Sequence, residues 1–200
     1  GTEQNTWTFY GHAVLGARVA KKILTNLKYP TKIIEKVTKM IRWHMFFSDT
    51  EQITLSAVRR MIVNVGRENI WDLMNLRICD RIGTGRPKED PYRLRKYHAM
   101  IEEALRDPIS VGMLKIDGKK IMDVTEITPG PRIGYTLHAL LEEVLEDPKK
   151  NTAEYLEERA KTLVNLPIEE LESLGEKGKQ SKEEADEEQI KKIRSSHHVK

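Results

Sequence analysis

Three side chains in this 200-residue sequence have the chemistry to hold a divalent ion. They are His12 in Tyr10-Gly11-His12-Ala13, His44 in Arg42-Trp43-His44-Met45, and Asp80 in Leu76-Arg77-Ile78-Cys79-Asp80-Arg81. Imidazole and carboxylate groups carried on packed helices can converge on one metal. Their separations of 32 and 36 residues form no motif by themselves. Local roles stay open: His12 as a capping group, His44 near a helix C-terminus, and Asp80 paired with Arg77 or Arg81. The sequence has no glycine-rich phosphate loop, no Gly-x-Ser-x-Gly and no Cys-x-x-Cys. Polymerase-type nucleotidyl transfer needs carboxylates that hold two divalent ions, and no strand-borne Asp-x-Asp pair supplies them. His197-His198 are too few and too terminal to form a metal site.

Charge offers a second kind of chemistry. The net charge of +3 conceals a split: residues 1–100 carry 18 Lys+Arg against 9 Asp+Glu, and residues 101–200 carry 16 against 22. A basic half joined to an acidic half suits a partner that is a polyanion. Arg59-Arg60, Arg81, Arg86, Lys88, Arg93, Arg95 and Lys96 make a basic run that can engage phosphates without reading sequence. At Pro129-Gly130-Pro131, a turn feeding a helix leaves backbone N–H groups free for a phosphate, with Arg132 and Lys119-Lys120 nearby. The same turn also reads as plain punctuation between packed helices. Trp43, Phe46 and Phe47 read as core; Trp7 fits either packing or stacking. The single cysteine, Cys79, excludes an internal disulfide, fits a reducing cytoplasm and reads as a buried small hydrophobe. No apolar run approaches the roughly 18 residues a membrane span needs, so no membrane partner is expected.

These residues must be positioned by helices. Apolar positions recur at helical spacing over 12–27, from Thr31 as N-cap toward Phe46, over 55–65, over 70–83 and over 92–105. Shorter patterns come next at Gly118–Val124 and Arg132–Leu145, then a helix capped by Asn151-Thr152 and a last one ending near Gly175. No alternating strand pattern competes, so the expected fold class is all-α: an elongated multi-helix bundle. The Pro- and charge-rich link at 86–90 divides a front unit, 1–88, from a helical body and tail unit, 89–175. The Lys/Glu-rich residues 176–200 read as a charged, flexible tail.

Five segments in order resemble the tRNA nucleotidyltransferase/poly(A) polymerase family. Phe9-Tyr10-Gly11-His12-Ala13-Val14-Leu15-Gly16-Ala17 is similar to the middle of that family's HD domain. The His44 and Asp80 segments are similar to its later His and Asp segments. Thr128-Pro129-Gly130-Pro131-Arg132-Ile133-Gly134 resembles the family's Pro-Gly-Pro-x-Ile-Gly turn. The Leu141–Pro148 stretch with Asn151-Thr152 resembles the family's next segment after that turn. The resemblance covers about residues 7–156.

The resemblance implies tRNA binding and positioning for 3′-end CCA or A addition, by a truncated HD-like unit followed by neck, body and tail helices. The implied partners are the acceptor and T-arm of tRNA and a catalytic head, in cis or as a partner chain. The implied Mg2+ belongs to that head. The family's His-Asp doublet lies upstream of the Gly11-His12 segment, so His12, His44 and Asp80 are expected to form a vestigial site with weak affinity for a divalent ion. Two other readings stand beside this one: a metal-dependent HD-type phosphohydrolase, and a helical scaffold that docks a protein through its acidic half.

Overall fold

A computed structural model describes residues 11–45, 53–85 and 92–175. Trp7, Phe46, Phe47, Arg86, Lys88, His197 and His198 lie outside the described residues, as does the tail over 176–200. Among those described, every regular element is helical: α1 (His12–Asn26), α2 (Thr31–Trp43), α3 (Leu55–Val65), α4 (Ile70–Gly83), α5 (Tyr92–Ala104), α6 (Gly118–Thr125), α7 (Pro131–Glu146) and α8 (Ala153–Leu163). Single 3-10 turns sit at Arg67–Asn69, Val111–Met113 and Pro148–Lys150, and residues 168–175 are helical again. The all-α expectation therefore holds.

Local chemistry sets the helix ends. Gly11 precedes α1 with φ of 74°, a left-handed conformation that suits glycine, and its carbonyl accepts from the N–H groups of Val14 and Leu15 at 3.1 Å. Thr54 caps α3 by accepting from Ala57 N–H, and Asp117 caps α6 by accepting from Lys120 N–H at 2.8 Å. Pro30, not Thr31, occupies the N-cap position of α2, and Thr31 is its first helical residue. Gly66 closes α3 at φ of 96°. Asn151 and Thr152 divide their work. Thr152 caps α8 through Tyr155 N–H, while Asn151 accepts from Lys115 N–H at 2.9 Å and donates to Met113 O at 3.0 Å. The pair thus ties the α5–α6 connection to the start of α8.

Helices α1 and α2 form a close antiparallel hairpin. A Cβ placed on Gly16 would lie 3.3 Å from Ile41 Cγ2, so the two helices meet closely at this glycine. Val14, Ala17 and Met40 are buried in and around this hairpin. The outer apolar stripe of α1 is not: Leu15, Val19, Ile23 and Leu27, each four residues apart, stay exposed, as does Ile33 on α2. Periodicity located these helices correctly, but burial is confined to one face of the hairpin.

The core is built around α3. Val58, Ile62 and Val65 have no accessible surface, and α3 packs on both α5 and α7. Leu94, Tyr97, Ile101 and Ala104 of α5 share one apolar cluster with Leu140, Val144 and Leu145 of α7 and Leu156, Ala160 and Leu163 of α8. The core therefore runs across the compositional link at 86–90. Burial drives the Tyr97 phenol well above the ordinary tyrosine range. Cys79, expected to be buried, is exposed on the outer side of α4.

Arg59 lies inside this core, only 6% exposed. Its Nε donates to Asp107 Oδ2 at 2.7 Å and its Nη1 to the Leu145 carbonyl at 2.9 Å. One guanidinium thus joins α3, the turn after α5 and the last turn of α7. Replacing it by an apolar side chain strands a carboxylate and a carbonyl. Arg59→Met is expected to lower the unfolding free energy by about 3 kcal/mol, against less than about 0.5 kcal/mol for exposed Arg93→Ala. Urea denaturation followed by circular dichroism measures both.

Candidate nucleic-acid interface

The cations singled out by sequence divide into two sets when the chain is folded. Arg59 is spent inside the core, so it has no reach to a phosphate. Its neighbour Arg60 donates from Nε to Glu142 Oε2 and from Nη2 to Glu146 Oε2, both at 2.8 Å. Burial pulls the Arg60 pKa down, but its bonds to the two glutamates outweigh this and leave it above the ordinary arginine value. Arg60 is therefore a permanent clamp between α3 and α7. Arg132 is used in the same way: its Nη1 donates to the carbonyls of Val164 and Leu166, at 2.7 and 2.6 Å. It caps the C-terminal end of α8 instead of facing the Pro129-Gly130-Pro131 turn.

That turn opens α7 with no side-chain cap. Gly130 is extended, with φ of 176°, and Pro131 takes the first helical position of α7, where its missing N–H costs nothing. Lys120 pairs with Glu157 at 3.3 Å, and Lys119 is exposed on α6.

The remaining cations face outward. Arg93 and Arg95 are exposed on α5, Lys96 is half-buried beside them, and Arg81 is half-buried at the end of α4. A larger concentration, absent from the basic run picked out by sequence, sits on the α1–α2 hairpin. Over residues 11–43, Arg18, Lys21, Lys22, Lys28, Lys32, Lys36, Lys39 and Arg42 stand against one acid, Glu35, for a net charge of +7. Arg18, Lys21, Lys22, Lys28, Lys32 and Lys36 are exposed. Lys36 reaches Asp72 on α4 at 2.6 Å, a pair open to solvent on both sides and so worth little to the fold. A charge count per helix, in place of a search for adjacent basic residues, would have found this hairpin.

The three candidate metal ligands behave unequally. His12 and His44 do converge, with Nε2 atoms 3.2 Å apart and ring centroids 5.2 Å apart. His44 Nδ1 lies 2.6 Å from the Ile41 carbonyl, which can only accept, so Nδ1 carries the proton. In neutral His44, Nε2 is then the acceptor, and His12 Nε2–H donates to it. Asp80 takes another partner: its Oδ2 accepts from Arg77 Nη1, and the same Arg77 nitrogen contacts Met45 Sδ at 3.3 Å. No group of three His, Cys, Asp or Glu side chains able to hold a metal forms among the described residues. His12 and His44 supply two donors, fewer than the three or four protein ligands of a typical zinc site.

A sequence profile described as tRNA nucleotidyltransferase domain 2 matches residues 1–160. The chain is 31% identical over 141 residues to the CC-adding tRNA nucleotidyltransferase of Thermus thermophilus, covering 70% of this chain and 30% of that protein. It is 30% identical over 138 residues to the A-adding tRNA nucleotidyltransferase of Deinococcus radiodurans, covering 68% of this chain and 31% of that protein. The chain thus spans about a third of the length of these curated relatives. No solved structure matches it.

The division of the cations has a direct consequence for Arg132. Removing both of its bonds to the end of α8 is expected to cost about 2 kcal/mol in Arg132→Ala. Faster amide hydrogen exchange over residues 163–171, with exchange in α1 and α2 unchanged, would report that loosening. Lys119→Ala should change neither.

Proposed function

Since the chain belongs to the tRNA nucleotidyltransferase domain 2 family, we propose that it grips tRNA and positions it for 3′-end addition. The observation that carries this reading is the sorting of its cations. Among the described residues, those inside the fold are bonded to acids or carbonyls, and those outside concentrate on the α1–α2 hairpin and on α5. A rigid helical surface with a net charge of +7 on one hairpin engages a phosphate backbone through charge, with no base contacts required. The acceptor and T-arm of tRNA form such a target, because A-form duplex is recognised mainly by shape, phosphates and 2′-hydroxyls.

In this reading the chemistry of addition lies in a catalytic head, on the same polypeptide or on a partner chain, and the Mg2+ it needs is bound there. The working compartment is the cytoplasm, where tRNA is matured. Among the described residues no helix is long and apolar enough to cross a membrane. The rival phosphohydrolase reading needs a third metal donor beside His12 and His44, and Asp80 is held by Arg77.

Titrating an acceptor–T-arm minihelix at several salt concentrations, with a single strand of equal length as control, tests the proposal. Preferential binding of the folded arm that weakens steeply with salt is the expected result. Equal or negligible binding of both RNAs would overturn it. In the triple variants Lys21→Gln/Lys22→Gln/Lys32→Gln and Arg93→Gln/Arg95→Gln/Lys96→Gln, the log–log salt slope should fall by roughly 0.7 to 0.9 for each phosphate no longer neutralised. Helicity should be unchanged in both.

A further inference from the structure

An open groove of about 560 Å3 runs between α4 and α5. Helix α4 contributes Trp71, Met74, Asn75 and Ile78, residues at helical spacing that share one face. Helix α5 contributes Arg95 and His98 on the opposite wall. The volume lies within the range of sites that take a small organic ligand. Its lining is mixed in a specific way: an apolar floor, an aromatic wall, an amide and a guanidinium.

The aromatic wall is the informative part. Trp71 is half-buried against the core, and the His98 ring lies over it with centroids 4.5 Å apart and planes tilted by 36°. The side chain of His98 is itself 51% exposed, and its Nδ1 is 3.5 Å from Glu102 Oε1 one turn further along α5. A tryptophan serving only as core would present its ring to apolar neighbours. Here its ring borders a solvent-open groove that also holds an amide and a guanidinium, with a second flat ring tilted against it. Asn75 is exposed and offers both a hydrogen-bond donor and an acceptor. The first turn of α5 has no acid, and Arg93, Arg95 and Lys96 lie close together there.

We propose that the α4–α5 groove takes one unpaired nucleotide of a bound RNA. The base stacks against the Trp71–His98 pair, Asn75 meets its polar edge, and Arg95 faces its phosphate. A base has a flat π-face and a hydrogen-bonding edge, and it travels with an anionic phosphate. The groove presents a complement to each, in a space of suitable size. An acidic peptide would use the cations but not the amide and the stacked rings. This inference rests on the RNA-binding reading and adds to it a site for a nucleotide outside the duplex, at residues distinct from the α1–α2 hairpin.

The test uses the full chain with Trp71 as its sole tryptophan, in a Trp7→Phe/Trp43→Phe background, since the sequence has three. Two RNAs are compared: a blunt acceptor-stem duplex, and the same duplex with unpaired 3′ nucleotides. The unpaired RNA should quench Trp71 emission, and the blunt duplex should bind, read by anisotropy of a labelled strand, without quenching. His98→Ala, at an exposed position, and Trp71→Leu should each weaken binding of the unpaired RNA by about tenfold. Both should leave the blunt duplex unaffected. Equal binding of the two RNAs with no quenching, or an equal loss for both RNAs in His98→Ala, overturns the nucleotide site and leaves the duplex-binding reading standing. If neither RNA binds, both readings fall. Should Trp71→Leu lose helicity, the quenching and His98→Ala arms decide the matter alone.

Discussion

The buried guanidinium of Arg59 ties three separate segments of this fold together. Its Nε is bound to Asp107 and its Nη1 to the Leu145 carbonyl. Burying that charge is tolerable only because both partners are in place, so the geometry of three separate chain segments is specified together. Asp107 fixes the turn after α5, and Leu145 fixes the end of α7. Arg60, one residue on, extends the same linkage along α7 through Glu142 and Glu146. On the same turns of α7, Glu143 accepts from Tyr155 Oη and Arg159 Nε of α8, both at 2.7 Å. A chain of ion pairs and charged hydrogen bonds therefore runs from α3 through α7 to α8, over an apolar core that is continuous beneath it.

That arrangement decides which charges are left for a partner. Arginine has five donors in a rigid plane, so where it can satisfy several acceptors at once it is drawn inward, as at Arg59, Arg60 and Arg132. Lysine gains less from such sites, and the lysine-rich α1–α2 hairpin keeps its charge in solvent. Among the described residues, exposed positive charge is consequently concentrated away from α3, which carries the adjacent Arg59 and Arg60. The same hairpin exposes an apolar stripe on α1, because α2 covers only one face of it.

The histidines show the same contrast between convergence and use. The close contact of α1 with α2 at Gly16 brings His12 and His44 within hydrogen-bond distance. Asp80 belongs to a third helix, α4, and finds Arg77 one turn earlier on its own helix. An i,i+3 partner within a helix forms with no tertiary rearrangement, so it competes well against a more distant imidazole pair.

Much was already legible in the residues. Apolar periodicity placed the helices to within about three residues, because a 3.6-residue repeat is a property of the local chain. The Asn151-Thr152 and Pro129-Gly130-Pro131 segments marked true helix boundaries, since capping and proline geometry act over a few residues only. The order of the five resembling segments pointed to the family that the sequence comparison bears out. Only tertiary structure decided which face of α1 is covered, which arginines are consumed, that Cys79 is exposed, and that Trp71 and His98 wall one groove. The arginine and ring pairings join partners 27 to 86 residues apart in the chain, and side-chain type carries no record of which distant acceptor or ring will be brought beside it.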